Sequence, residues 1–164
     1  IAQGYSVDVV ADFLEKAGVE RYLVEVGGEI RTKGTHLDGK KFKIAIEVPK
    51  YINDSLSTVY LPLEIHDLAI TTSGSTYKGK QHINPKTGLP YATSTLSVTV
   101  IAPSAMDADA LDNYLIAMPY KKAIIWAKKY NGVEVLVVHT KKGRLLTSST
   151  KYFKKGIKLL ETKD

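Results

Sequence analysis

The chain has 164 residues, of which 44% are hydrophobic and 24% charged, a composition that predicts a folded globular domain and excludes a disordered chain. It contains no cysteine, which excludes disulfides, thiolate metal sites and a cysteine nucleophile. The net charge of +6 is concentrated in residues 121–164, which carry twelve Lys and Arg against three acidic residues. Those lysines recur at helical spacing without interleaved aromatic residues, so a solvated surface is a better interpretation than a nucleic-acid-binding site.

The order of apolar patterns along the chain predicts an α+β domain with a largely antiparallel sheet and three helices. The predicted helices are 3–17, 104–118 and 119–130. The predicted strands are 22–26, 29–33, 41–48, 59–63, 68–72, 94–102, 134–139 and 144–148. In the first helix Tyr5, Val9 and Phe13 repeat every four residues, and Gly18 follows the end of the helix. Residues 51–57 are predicted to form a loop.

Three glycine-containing stretches between the strands are candidates for ligand contact. Gly27 and Gly28 separate two strands and either make a tight turn or let a ligand approach the backbone closely. Residues 73–80 are polar and glycine-spaced, so they offer N–H and hydroxyl groups of the kind that hold a phosphate. Asn84 opens a turn that Gly88 closes.

The helix predicted at 104–118 carries three aspartates that need separate explanations. Asp107 lies three residues after Ser104 and suits the N-terminal cap. Met106, Ala110, Tyr114 and Ala117 recur at spacings of four, four and three, which predicts an apolar stripe packed on the core. Asp112 lies away from this stripe, so we expect it to be solvated. Asp109 lies beside that stripe, with Asn113 one turn later, and two such oxygen-bearing side chains can hold a hard cation such as Mg²⁺. A carboxylate that simply interacts with the helix dipole is the alternative, and the spacing leaves both open.

Five short blocks of the sequence resemble, in the same order and at similar intervals, the C-terminal part of the ApbE family, the FAD:protein FMN transferases. The blocks are AQGYSVD at 2–8, GGEI at 27–30, TSG at 72–74, NPKTG at 84–88 and ADAL at 108–111. The resemblance spans the whole chain. It implies that 1–164 is a single segment of the family's T-fold-like α+β architecture, incomplete without the half that precedes it in a typical member.

The resemblance also implies an activity. Family members use Mg²⁺ to split FAD at its pyrophosphate and transfer FMN to a Ser or Thr hydroxyl of a target protein, with release of AMP. The implied partners are therefore FAD and an acceptor redox protein, and no nucleic acid. Members are usually exported to the bacterial periplasm or outer cell surface, often on an N-terminal lipid anchor, which would be a membrane attachment outside this chain.

Carried over block by block, the resemblance implies a set of site residues. The implied metal ligands are the side chains of Asp109 and Asn113 and the backbone carbonyl of Ala2. The implied FAD-binding residues are Gly27, Gly28, Glu29, Ser73, Gly74, Thr87 and Gly88. The implied base that activates the acceptor hydroxyl is His82.

The sequence departs from the family pattern at three of these places. The Lys of the first block is Gln3, and the second metal-binding Thr is Asn113, whose amide oxygen can still bind Mg²⁺. The family's His lies three residues before the Asn-Pro pair, where this chain has Gln81, with His82 one residue later. Either the loop lets His82 reach the site or transfer is impaired. Two alternatives stay open: an FAD- or nucleotide-binding relative that has lost transfer, and an FAD pyrophosphatase that yields FMN and AMP.

Overall fold

The computed structural model describes residues 1–52, 55–74 and 82–154. The helices are α1 (Ala2–Lys16), α2 (Ala105–Ile116) and α3 (Tyr120–Ala127). The strands are β1 (Tyr22–Val26), β2 (Glu29–Lys33), β3 (Phe42–Ile52), β4 (Ser55–Ile65), β5 (Ala69–Gly74), β6 (Thr95–Ala102), β7 (Glu134–Lys141) and β8 (Arg144–Ser149). This confirms the predicted α+β class with three helices and an antiparallel sheet. None of the helices in the described part of the chain is long and apolar enough to cross a membrane.

Six strands form one antiparallel sheet in the order β1-β2-β5-β6-β7-β8, and β3 pairs with β4 in a separate hairpin. Successive residues of a strand point to opposite faces, so the sheet has two apolar surfaces. On one face Val98, Val100 and Val137 pack with α2 and α3. On the other face Ile101 and Leu136 pack with the hairpin. Strand β6, which lies between β5 and β7, is buried on both faces, and this explains its continuous apolar sequence.

The prediction of a loop at 51–57 is wrong for the residues of this range that the structure describes. The ladder of the hairpin continues from Phe42↔Ile65 to Ile52↔Ser55, so 51–52 and 55–57 belong to strands. Polar residues and Pro49 interrupt the apolar alternation in this part of the hairpin, which is why the sequence pattern ended too early. Residues 53–54 lie outside the described part of the chain.

The apolar side of α1 that its four-residue spacing defines is exposed. Tyr5, Val9 and Phe13 point to solvent, whereas the buried positions are Gly4, Val7 and Ala11. Small residues on the buried side allow α1 to lie close to α2 and β1.

The stripe of α2 was predicted to pack on the core, and this prediction is wrong. Met106 and Tyr114 of that stripe are exposed, whereas Ala108, Leu115 and Ile116 are buried. Periodicity identified both helices correctly but did not show which side other elements cover.

Candidate functional site

The first block of the sequence meets α2 through a glycine. A Cβ atom at Gly4 would lie 2.3 Å from the carbonyl oxygen of Ala105 and 2.8 Å from Cβ of Asp109, so only glycine allows this approach. The backbone N–H of Gly4 donates a hydrogen bond of 2.9 Å to Oδ2 of Asp109. The start of α1 therefore lies directly against the carboxylate that the sequence singled out.

Asp8 holds the same two helices together from one turn further along α1. Its carboxylate accepts hydrogen bonds from the backbone N–H groups of Ala105 at 3.0 Å and Met106 at 2.8 Å, at the N-terminus of α2. It also accepts one from Nη1 of Arg31 on β2 at 2.8 Å. Asp8 therefore fixes α1, α2 and β2 relative to one another, a role that the sequence analysis did not assign to it.

The predicted cap of α2 is confirmed, and it sets the start of the helix that carries Asp109. The backbone N–H of Asp107 donates to the hydroxyl of Ser104 at 3.1 Å. That hydroxyl donates in turn to the Asp107 carboxylate at 2.6 Å. The N–H groups that begin a helix need such acceptors, and here the side chains of Ser104 and Asp8 supply them to Ala105, Met106 and Asp107.

Asp109 and Asn113 lie together, one turn apart on α2. Nδ2 of Asn113 is 3.1 Å from Oδ1 of Asp109, 2.9 Å from the Asp109 carbonyl oxygen and 2.9 Å from Oδ1 of Asp112. The Asn113 amide thus turns its nitrogen, and not its oxygen, toward both carboxylates. The side chain of Asp109 is 4% exposed, and its carboxylate accepts hydrogen bonds from Asn113 and from the N–H of Gly4.

Asp112 was predicted to be solvated, and this prediction is wrong. Its side chain is buried beneath α2, where the hydroxyl of Ser73 on β5 donates to Oδ1 at 3.0 Å. Burial, reinforced by the charges of Asp109 and Glu29, raises the pKa of Asp112 to about 7. The carboxyl therefore takes up or releases a proton near neutral pH.

The turn between β1 and β2 brings a third carboxylate, that of Glu29, near those of Asp109 and Asp112. We call these three side chains the carboxylate cluster. Gly27 and Gly28 have φ of +67° and +107°, which glycine adopts without strain. A Cβ atom at Gly27 would lie 2.1 Å from Nε2 of Gln3, so Gln3 packs directly on this turn. Oε2 of Glu29 is buried and has no hydrogen-bond partner among the described residues. Burial, with the Asp109 charge adding to it, raises the pKa of Glu29.

The predicted cation site has one carboxylate, that of Asp109. The other predicted donors are the amide oxygen of Asn113 and the carbonyl of Ala2, which accepts a 2.8 Å hydrogen bond from Ser6. In the described part of the chain, no group of three or more His, Asp or Glu side chains could hold a metal ion. A Mg²⁺ site here would therefore depend largely on neutral oxygens.

A cavity of about 460 Å³ opens beside the glycine turn, between the turn, β5 and the β3–β4 hairpin. The predicted FAD-binding residues Gly27, Gly28 and Gly74 line it. Ser73 bonds to Asp112 instead, because neighbouring residues of β5 point to opposite faces of the sheet. A cavity of this size is within the range of small-molecule sites.

Comparison with known proteins decides the family. The family model described as "ApbE family" matches residues 1–137. The chain belongs to the ApbE family. It is 38% identical to the FAD:protein FMN transferase of Haemophilus influenzae over 173 aligned residues, which cover 100% of this chain and 48% of that protein. It is 40% identical to the FAD:protein FMN transferase of Vibrio cholerae over 147 residues, covering 84% of this chain and 42% of that protein.

Solved structures of the ApbE family have the same fold. The flavin transferase ApbE from Vibrio cholerae superposes with a TM-score of 0.81 at 38% identity, over 95% of this chain and 50% of that one. The flavinyl transferase ApbE of Pseudomonas stutzeri, in its apo form, gives a TM-score of 0.78 at 33% identity, over 95% and 49%. The chain therefore spans about half the length of these relatives and corresponds to their C-terminal part.

Among the described residues, neither the block at 84–88 nor His82 makes a hydrogen bond or ion pair with Asp109. Thr87 and Gly88 are exposed, and their backbone N–H groups donate to the carbonyl of Asn84, which closes the predicted turn. His82 is half-buried, and burial lowers its pKa. In the part of the chain that the structure describes, no hydrogen bond or ion pair links its ring to Asp109. Gln81 and the rest of 75–81 lie outside that part, so the assignments of His82, Thr87 and Gly88 stay predictions.

Proposed function

We propose that this chain carries the metal and flavin-phosphate side of a Mg²⁺-dependent transferase that moves FMN from FAD to a Ser or Thr hydroxyl of an acceptor redox protein. The observation that supports this most directly is the position of Asp109. Its buried carboxylate lies against the first sequence block, and Gln3 of that block packs on the glycine turn, beside which the cavity opens. Membership of the ApbE family, with relatives named FAD:protein FMN transferase, supports the same reaction.

In the proposed reaction the acceptor oxygen attacks the phosphorus of the FMN half of FAD. The bond from that phosphorus to the bridging oxygen breaks, AMP leaves with that oxygen, and the hydroxyl proton passes to a base. Mg²⁺, when held by Asp109, Asn113 and the Ala2 carbonyl, would neutralise charge on the pyrophosphate. Apart from the base, the remaining groups bind and position the substrate.

The chain offers groups for these positioning roles. The Gly27–Gly28 turn allows FAD to approach the backbone, and the isoleucines of the cavity wall, such as Ile44 and Ile70, suit an apolar ring system. His82 is the proposed base, because its lowered pKa keeps the ring neutral and able to accept a proton at pH 7. The acceptor hydroxyl must then reach the loop that contains His82.

A second candidate is a relative that binds FAD without transferring FMN. Two observations favour it: the neutral Gln3 packs on the glycine turn, and the Asn113 amide presents its nitrogen to Asp109. A third candidate, an FAD pyrophosphatase, would use the same groups with water as the acceptor. We also propose, from the family resemblance alone, a location in the bacterial periplasm or at the outer cell surface, with any lipid anchor outside this chain.

One experiment separates these candidates. The N-terminal half of the Haemophilus influenzae relative is joined to residue 1 of this chain; we call this the fusion protein. It is incubated with FAD, Mg²⁺ and a Ser/Thr acceptor protein, and acceptor mass and free AMP are read together. An acceptor heavier by one FMN residue, with an equal amount of AMP, supports the transferase. AMP alone identifies the pyrophosphatase, and bound FAD without AMP identifies the binding protein.

A further inference from the structure

The residues that follow the proposed base form a small hairpin of their own. The backbone N–H of Tyr91 donates a 3.0 Å hydrogen bond to the carbonyl of His82, and the N–H of Asn84 donates to the carbonyl of Leu89 at 2.8 Å. We call residues 82–91 the His82 hairpin. Because the backbone of His82 is bonded to Tyr91, the position of the base depends on what holds the end of this hairpin.

Two threonine hydroxyls join the end of the His82 hairpin to the segment that follows α2. Oγ1 of Thr93 donates to the carbonyl oxygen of Met118 at 3.2 Å, and Oγ1 of Thr95 donates to the same oxygen at 2.9 Å. We call these two hydroxyls and the Met118 carbonyl the threonine clamp. The N–H of Thr95 also donates to the Thr93 hydroxyl at 3.2 Å, and the N–H of Thr93 donates to the carbonyl of Tyr91 at 3.0 Å. A continuous series of hydrogen bonds therefore runs from the backbone of His82 to the end of α2.

The carbonyl that accepts both hydroxyls belongs to a firmly held part of the fold. Met118 lies between α2 and α3, and its N–H donates to the carbonyl of Leu115 at 3.0 Å. Two residues later, the ring of Tyr120 stacks on the ring of His139 on β7, with 3.6 Å between the ring centroids. His139 is itself buried. The helix that carries Asp109 and the sheet therefore give the threonine clamp one common support.

The hydrogen bond is what a threonine adds at the start of β6. Thr95 is 0% exposed, and a buried hydroxyl destabilises a fold unless it makes a hydrogen bond. We propose that Thr93 and Thr95 are positioning residues for FMN transfer, which hold the His82 hairpin in a fixed place relative to the helix that carries Asp109. This inference rests on the proposed function. A shift of about 1 Å in a reacting group can cost about 100-fold in rate, so the clamp affects turnover although it does not contact the substrate.

The double variant Thr93→Val/Thr95→Val tests this proposal, because it removes both hydroxyls and keeps branched side chains of similar size. Thr147→Val on β8 is the matched control: Thr147 is half-buried, and among the described residues its hydroxyl makes no hydrogen bond. Hydrogen exchange of the Tyr91 amide and the NMR titration of the His82 ring are measured in the 164-residue chain. The kcat of FMN transfer and the KM for FAD are measured in the fusion protein.

We expect the Tyr91 amide to exchange at least about tenfold faster in the double variant. The pKa of His82, which burial lowers, should rise toward the ordinary histidine value of about 6.5 as the ring becomes solvated. In the fusion protein kcat should fall at least about tenfold while the KM for FAD stays within about twofold, because the cavity is unaltered. Thr147→Val should change none of these quantities. Thr93→Ser/Thr95→Ser, which restores both hydroxyls, should bring kcat back to within about threefold.

Two results would overturn the proposal. Unchanged exchange at Tyr91 with an unchanged His82 titration would mean that the hydroxyls do not hold the hairpin. Faster exchange with an unchanged kcat would mean that the position of the hairpin does not matter for transfer. If the double variant does not fold, Thr93→Val at a half-buried position gives the same comparison.

Failure of the proposed reaction would be recognised separately. A folded fusion protein that transfers no FMN without any substitution would count against the proposed function itself. The exchange and titration measurements involve no FAD, so they still decide whether the threonine clamp holds His82.

Discussion

Replacing Asp8 by Ala tests how the structure positions Asp109. The substitution leaves two backbone N–H groups of α2, those of Ala105 and Met106, without their carboxylate acceptor. It also removes the 2.8 Å partner of Arg31, which among the described residues keeps contacts of 3.5 Å to Asp12 and Glu15. Loss of a helix cap costs about 1 kcal/mol, and loss of a partly buried, charge-assisted hydrogen bond costs about 1.5–3 kcal/mol. We expect the free energy of unfolding to fall by about 2–4 kcal/mol.

Asp12→Ala is the matched control for Asp8→Ala. Asp12 lies one turn further along α1, reaches the same guanidinium at 3.5 Å and has a side chain that is 59% exposed. An exposed ion pair of this kind contributes less than about 1 kcal/mol. Urea unfolding followed by circular dichroism gives both free energies with the same slope. Equal losses for the two variants would refute the role of Asp8 as the joint between α1, α2 and β2.

Three further changes test single contacts. Gly4→Ala should destabilise the chain by about 1–3 kcal/mol by forcing α1 away from Ala105, whereas Ser6→Ala should change little in the same urea titration. Ser104→Ala should cost about 1 kcal/mol by removing the cap of α2, and an unchanged unfolding midpoint would contradict this. For Asp112, whose folded pKa of about 7 exceeds its unfolded value, stability is fully present below about pH 4 and is lost as pH rises through 7. Asp112→Asn should remove this loss, on the order of 4 kcal/mol at most by pH 8 in metal-free buffer, and identical pH profiles for both proteins would contradict the burial of a titrating carboxyl.

Local patterns in the sequence predicted the elements well where the chain itself defines their ends. The bounds of β1 and β2 match the predicted strands because alternation stops at the glycine pair on one side of each. The cap at Ser104 was equally local. The burial of Asp112 was not, because it depends on Ser73, which lies 39 residues away and reaches α2 only through the pairing of β5 in the sheet.

The residues of the candidate site also divide into those that a local pattern predicts and those that depend on distant parts of the chain. Asp109 and Asn113 were found together because four residues of a helix place them side by side. Gly4 and Asp8 lie 105 and 97 residues from their partners on α2, so periodicity alone gave them no role. The exposure of Met106 and Tyr114 was missed because a four-residue spacing identifies a helix but not which of its sides the rest of the fold covers.

The proposed role of Asp109 as a metal ligand in FMN transfer is tested most directly by comparing the fusion protein with two of its variants. The fusion protein and its Asp109→Ala and Asp107→Asn variants are incubated with FAD, Mg²⁺ and the acceptor, and the acceptor mass is measured. Asp107 is an exposed aspartate on the same helix that contacts Ser104 and not the carboxylate cluster, so it controls for any loss of charge on α2. We expect the added mass of one FMN residue with the unchanged fusion protein and with Asp107→Asn, and its loss with Asp109→Ala. An acceptor modified equally by all three would contradict the claim.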